Sequence, residues 1–337
     1  MTTPRKKSWS WRSRAFRGLV YQVLAISLIG LLIWFLAHNT AYNMKVRGIQ
    51  SGFDFLLQSA GFDIGESLFN FDSSDAYWRA FAVGLANTLR VALIGIVLTT
   101  LLGTLIGIGR LARNALVRGL CTAYVEFFRN VPVLLQLLMW YLLFTEVLPT
   151  ADAAWRLDTG WGSVFLSKGG LNFPIPAWTT EHGWLWDAPV KGEFAIENGG
   201  ALTPEYLALL LGLTIYTAAF VAEVVRAGIQ SVPRGQAEAA AALGLSRRQT
   251  TRLILLPQAL RVIIPPMTNQ YLNLTKNSSL AVAIGYPDVV SIANTSINQT
   301  GRAVECLAIV MLVYLTTSLA TSLLMNWYNA RAAIKER

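Results

Sequence analysis

E-A-A-A-A-L-G-L-S-R-R-Q-T-T-R-L-I-L-L-P, residues 238–257, is a polar, arginine-bearing stretch set between two apolar runs. Its residue types predict a short helix, a turn and a second helix. Pro233 ends the helical extension before it, and the alanines at 237 and 239–242 favour helix strongly from about Gly235 to Leu243. Gly244 stands where a helix C-terminus wants a left-handed residue. Ser246 with Gln249 three residues on is a capping-box pattern for the next helix, and Pro257, Pro265 and Pro266 punctuate the route into the following span. Alanine has little bulk, so another protein can approach such a helix closely, and Glu238 offers it one carboxylate. A helix resting on lipid would need a large apolar face opposite Lys and Arg, and Leu243 with Leu245 is too little of that.

Outward from this stretch, the chain reads as an integral membrane protein. Of its 337 residues 54% are hydrophobic and only 14% charged, whereas soluble domains carry about 25% charged residues. Six apolar segments, near 19–38, 80–108, 119–148, 205–225, 263–285 and 303–327, are long enough to cross a core of about 30 Å. The expected fold class is an all-α polytopic membrane protein. The first segment follows a basic flank, but it is long, holds Trp34 and Phe35 and lacks an A-x-A cleavage pattern, so it reads as a retained helix. Cys121 and Cys306 fall in separate spans and read as small core residues.

The basic residues set an orientation. Arg5, Lys6, Lys7, Arg12, Arg14, Arg17, Arg110, Arg113, Arg118, Arg226, Arg234, Arg247, Arg248, Arg252, Arg261, Arg331, Lys335 and Arg337 fall on one side, and Lys45, Arg47, Arg79, Arg156, Lys168, Lys191 and Arg302 on the other. Eighteen against seven puts both termini and the 238–257 stretch on the cytoplasmic side. The charge lies beside apolar spans rather than in one patch, which argues against a nucleic-acid partner. Of the two long outer loops, 39–79 carries acids among aromatics and is expected to fold. The other, 149–204, holds five Trp with Pro174, Pro176 and Pro189, and reads as a compact, loop-rich cap at the membrane surface.

The loop matches E-A-A-x-x-x-G-x(9)-I-x-L-P at Glu238, Ala239, Ala240, Gly244, Ile254, Leu256 and Pro257. This resembles the EAA loop of ABC-importer permease subunits. E-F-F-R-N-V-P-V-L-L-Q at 126–136, A-N-T-L-R at 86–90 and N-L-T-K-N-S-S-L at 273–280 are similar to signatures of the polar amino-acid uptake branch of that family. The extra first helix and long outer loops look most like the Q subunits of general L-amino-acid permeases. The resemblance implies the type I importer fold and a bacterial inner-membrane setting. It divides the chain into a basic cytoplasmic N-terminus (1–18), a first helix (19–38), a periplasmic loop (39–79), a transmembrane domain (80–327) and a cytoplasmic tail (328–337). Within the domain lie the 149–204 periplasmic insertion and the 233–258 loop, whose short helix is expected to dock on a separate ATP-binding subunit. The partners it implies are a dimer of that subunit, which binds ATP and Mg, a homologous permease as heterodimer partner, a periplasmic amino-acid-binding protein and the amino-acid substrate.

An ionisable group at mid-bilayer costs about 2.5–3.5 kcal/mol on insertion scales and asks for an explanation. Glu126 and Arg129 are spaced to pair on one helical face, as a structural ion pair or as part of a gate. Lys276 lies among Asn273, Asn277, Ser278 and Ser279, a polar set expected to line a water-filled path or a subunit interface. Glu305 has no visible partner, and a helix-start position accounts for it. Gly103, Gly107 and Gly109 read as a G-x-x-x-G packing pattern within the second span. The chain holds no G-x-x-x-x-G-K-[ST] and no G-x-S-x-G, and His38 and His182 are its only histidines, so no cofactor or metal is expected in this chain and no enzymatic centre is legible. An ion-driven transporter would call for inverted repeats with acids at the midplane, and the sequence has neither. A third alternative, a scaffold half whose partner binds the substrate, stays open.

Overall fold

A computed structural model describes residues 11, 13–48, 51–179, 183–192 and 195–332. Arg5, Lys6, Lys7, Arg12, His182, Lys335 and Arg337 lie outside the described residues. The protein is mostly helical: α1 (Arg14–Val46), α2 (Tyr77–Gly109), α3 (Ala115–Asn130), α4 (Val133–Leu142), α5 (Pro204–Gln230), α6 (Arg234–Ala242), α7 (Arg247–Gln249), α8 (Leu256–Asn277), α9 (Val289–Thr300) and α10 (Ala303–Ala332). Among the described residues four helices are long and apolar enough to cross a membrane, and six spans result if each of two bent pairs is one span. The expected third span, 119–148, is such a pair, bent by 103° between α3 and α4. Pro132 sits at the corner with an extended backbone, since it can neither donate to nor fit within the preceding helix. The fifth span, expected at 263–285, is the other pair: residues 247–284 form one helical run, and α9 leaves it at 47°. Gly285, in the left-handed region at φ 78°, makes that corner, and Asp288 caps α9 by accepting from Ser291 N at 2.8 Å. The prolines behave differently from the expected punctuation, because α8 runs through Pro265 and Pro266. The first helix also runs beyond the expected 19–38, and none of its apolar window is buried against the rest of the chain.

The core forms where α5 is surrounded. Val91 of α2, Leu137 of α4, Leu209 and Leu213 of α5, and Tyr286 are all fully or almost fully buried together. Helices α2 and α5 touch at glycines. A Cβ on Gly103 would fall 2.5 Å from Val221 Cγ1 and 2.9 Å from the Ala218 carbonyl, and one on Gly107 would fall 2.7 Å from the Ala222 carbonyl. The G-x-x-x-G pattern is thus the seam along which two backbones meet. Gly103→Leu is expected to lower stability by about 1–3 kcal/mol or more through overpacking. Gly119→Leu, on an exposed face of α3 with nothing within 4 Å, is the control. Thermal melts in detergent compare the two, and equal melting temperatures would contradict this packing.

The insertion is not loop-rich. It adds strands β1 (Trp155–Thr159), β2 (Gly162–Ser167), β3 (Gly170–Phe173), β4 (Ile175–Thr179), β5 (Gly183–Asp187), β6 (Val190–Lys191), β7 (Ile196–Glu197) and β8 (Gly200–Leu202) to the helical body. One antiparallel sheet has the order β1-β2-β3-β8, and β4-β5 and β6-β7 pair separately. Across β1 and β2, Asp158 stands opposite Ser163 and accepts from its Oγ at 2.7 Å and from Arg156 Nε at 2.7 Å. These bonds hold its carboxyl below the usual carboxylate range. Leu166, Leu171 and Leu202 seat the sheet on the end of the core around α5. The 39–79 loop also folds, as expected: residues 54–57 form a 3₁₀ turn, and Phe55 and Ala60 are buried.

Candidate coupling loop and polar path

The loop after α5 is shaped by its own residues. Helix α6 ends in two bonds that wrap its C-terminus, Gly244 N to the Ala241 carbonyl (3.0 Å) and Leu245 N to the Ala240 carbonyl (3.1 Å). This is the Schellman pattern, and it places Gly244 at φ 76°. Ser246 and Gln249 then form the expected capping box. Beyond it, residues 250–255 wind as a π-helix directly into α8. The second helix of the loop is therefore the start of the fifth span rather than a separate surface element.

The motif divides by burial. Ala240 (1% exposed) and Thr250 press α6 onto the π-helical turn, and Ile254 and Pro257 are half-buried beneath it. Glu238, Ala239, Ala241, Ala242 and Gly244 face outward with Leu243, which is 81% exposed, and Leu256 is also exposed. Glu238 has no hydrogen-bond or ion-pair partner among the described residues. The result is a small-residue surface with one free carboxylate and an unburied leucine, flanked by Arg247 and Arg248. Gly244 has open space where a Cβ would sit, so Gly244→Ala strains only the backbone, by about 1–2 kcal/mol for a left-handed residue. The expected result is a frayed end of α6, read as faster amide exchange at Gly244 and Leu245 with the spans unaffected. Unchanged exchange there would show that the wrap is not what holds the helix end.

An ion cluster that the charge count did not bring out stands at the root of the loop. Glu223 of α5 accepts from Arg110, at the end of α2, and from Arg226 one turn along, and Arg226 Nη1 donates to Gln230 Oε1 at 2.5 Å. The i, i+3 spacing of Glu223 and Arg226 was legible, but the partnership with Arg110 spans 113 residues. Glu126 and Arg129, by contrast, form no ion pair. Arg129 reaches across to α5, its guanidinium 5.2 Å from the centre of the Phe220 ring. It lines a cleft of about 490 Å³ with Phe220, Glu223, Pro266 and Gln270. The pairing expected from helical spacing is not made because the Arg129 guanidinium is turned onto the Phe220 ring instead, and Asn130 Nδ2 donates to the Glu126 backbone carbonyl at 2.7 Å.

The polar set on α8 also divides. Asn273 and Lys276 are exposed, on one stripe with Asn269 at helical spacing, and Asn277 and Ser279 are half-buried. Ser278 is fully buried and donates to the Thr275 carbonyl at 2.7 Å. It closes the junction where α8 tightens into the 3₁₀ run 278–284, so it does not line a path. Lys276 has no ion pair among the described residues. Amides and an ammonium at this depth need water or another protein against them, and nothing described in this chain covers the stripe.

Residues 99–334 match the family described as the binding-protein-dependent transport system inner membrane component. The chain belongs to this family. Permease subunits resemble it over their whole length. It is 43% identical to the general L-amino acid transport system permease protein AapQ of Rhizobium johnstonii, over 100% of this chain and 98% of that one. It is also 43% identical to the putative amino-acid ABC transporter permease protein YhdX of Escherichia coli K12, over 98% of each. A solved amino acid ABC transporter shares the fold at 24% identity and a TM-score of 0.56, covering 76% of this chain and 95% of that one. The protein is thus a membrane-spanning transport subunit and not an enzyme.

At the opposite end of α2 from Arg110, the permease uses its A-N-T-L-R residues as ties. Asn87 Nδ2 donates to the carbonyls of Glu66 (2.8 Å) and Pro287 (3.0 Å), and Thr88 Oγ1 accepts from Val289 N at 3.3 Å. Arg90 pairs with Glu66 and lies over the Tyr206 ring, 4.1 Å from its centre, while Thr203 donates to the other Glu66 oxygen. This second network, like the first, joins residues far apart in the chain.

Proposed function

We propose that this permease is one of two membrane-spanning halves of an ATP-driven importer that carries L-amino acids across a bacterial inner membrane into the cytoplasm. The observation that carries the reading is the uncovered face of α6: a helix with a wrapped end presenting Glu238, small residues and Leu243 to a partner. A separate ATP-binding subunit, present as a dimer with ATP and Mg, is the partner whose closure would move this helix. Arg110, Arg226, Arg234, Arg247, Arg248 and Arg252 at this end agree with a cytoplasmic placement, as the asymmetry of basic residues requires. Both termini then lie on that side, with the sheet and the 51–76 segment outside.

The second half would be a homologous permease, and an extracytoplasmic amino-acid-binding protein would deliver the substrate. The relatives' names support the amino-acid assignment. In this reading Asn273, Lys276, Asn277 and Ser279 line the path or its subunit seam. Arg129, held on Phe220 near the α6 end, belongs to the inner gate. The test is reconstitution of this chain with its ATPase and homologous permease in nanodiscs. ATPase activity should rise when amino-acid-loaded binding protein is added and stay low with the unloaded protein. No co-purification and no stimulation would overturn the reading.

A further inference from the structure

The cleft at the α6 end of the bundle, about 490 Å³, has the size of a small-molecule site, for which about 300–1,000 Å³ is usual. Helix α3 gives it Arg129, α5 gives Phe220 and Glu223, and α8 gives Val262, Pro266 and Gln270. Three features fit it to a zwitterion. The first is an unclaimed cation: Arg129 lies over the Phe220 ring, and its N–H donors have no acceptor among the described residues. Contact with the ring holds the guanidinium in place and leaves its planar fork, which matches a carboxylate, unused. The second is the balance of charge. Glu223 is already shared between Arg110 and Arg226, so Arg129 stands beside a carboxylate that two other cations have taken. The third is a backbone acceptor. Pro266 has no N–H, so the Val262 carbonyl one turn earlier lacks the helical bond it would otherwise accept.

The cleft is continuous with the polar stripe of α8. Val262, Pro266, Asn269, Asn273 and Lys276 follow one another at helical spacing on its exposed side, and half-buried Gln270 borders them. From Pro266 to Lys276 the helix rises about 15 Å. Amides and cations spread over that length call for water against them, not lipid. We infer that the cleft is the inner station of the solute's path. Arg129 takes the α-carboxylate of an amino acid through paired N–H donors, and the Val262 carbonyl accepts from its ammonium. This rests on the importer reading and assigns, within it, the protein group that each charged end of the substrate meets.

The experiment uses the assembled transporter in inside-out proteoliposomes, with Cys121 and Cys306 replaced by Ala. Ser231→Cys is the reporter, since Ser231 is exposed and lines the cleft. A membrane-impermeant maleimide labels it from the α6 side. The probe is whichever L-amino acid the wild-type chain takes up fastest, compared with its carboxamide. The amino acid should slow labelling several-fold, and the carboxamide, which has no carboxylate, should not. Arg129→Gln should raise the concentration for half protection roughly ten- to hundredfold, the loss of one charge-assisted bond, and Arg129→Lys should raise it less. Pro266→Ala returns to Val262 its helical bond without breaking the helix, and should weaken protection several-fold. Unchanged protection there would remove the Val262 carbonyl from the site. Protection that is absent, equal for the carboxamide or untouched by Arg129→Gln would overturn the site itself. Labelling that responds only to the anionic lipid content of the vesicles would give Arg129 to a lipid phosphate and overturn it too. Uptake by the wild-type chain with loaded binding protein tests the importer reading separately, so the two can fail independently.

Discussion

Glu238→Lys is expected to abolish stimulated ATP hydrolysis and uptake while leaving insertion and folding of this chain intact. The carboxylate is exposed and has no partner among the described residues, so the substitution removes no bond seen there. Its cost falls entirely on the docked partner. A charge-assisted hydrogen bond is worth about 1.5–3 kcal/mol. That corresponds to roughly a ten- to hundredfold loss, and the new like-charge contact adds to it. Glu238→Gln, which keeps the shape and removes the charge, should fall between the two. The measurement is ATPase activity of the reconstituted complex with loaded binding protein, alongside the yield of co-purified ATPase. Full uptake by the lysine variant would mean that α6 is not where the subunits are coupled.

Arg90→Ala should be the most destabilising single change outside the glycine seam. It leaves Glu66 buried with its charge uncompensated, at a cost of about 3–5 kcal/mol. It also removes the stack on Tyr206, worth about another 0.5–2 kcal/mol. The expected drop in melting temperature in detergent is on the order of 10 °C. The double replacement Arg90→Met/Glu66→Leu should recover much of that loss, because a buried ion pair exchanged for apolar groups is often nearly neutral. A double variant as unstable as the single one would show that Arg90 acts through some contact other than Glu66.

The loop and the spans were legible because their causes are local. Alanine propensity, a glycine at the helix end and the Ser246–Gln249 box act within a few residues, and each appears where the sequence placed it. The G-x-x-x-G pattern likewise named its seam, though not that α5 would fill it. The misread elements are those where one local rule met a competing one. Pro132 turned an apolar run into two helices at a right angle, whereas Pro265 and Pro266 were absorbed into one. The insertion read as loop from its tryptophans and prolines is instead paired strands: Trp155 lies in β1, Pro176 and Trp178 in β4, and Trp184 and Trp186 in β5, while alternation in β2 and β3 buries one face on the bundle.

By itself the sequence determined the membrane class, the helical body and the wrapped, capped turn of the 238–257 loop, since periodicity and capping are written in neighbouring residues. Tertiary structure alone decided which charges meet. Glu126 and Arg129, one turn apart, part company. Glu223 finds Arg110, Glu66 finds Arg90, and Asp54 finds Arg302 across 248 residues. Glu305, with no partner in view along the chain, receives the Gly52 amide. Helical spacing states only which side chains share a face of one helix. Which carboxylate neutralises a cation inside a bundle is set by how the helices cross, and that is settled only when all of them have packed.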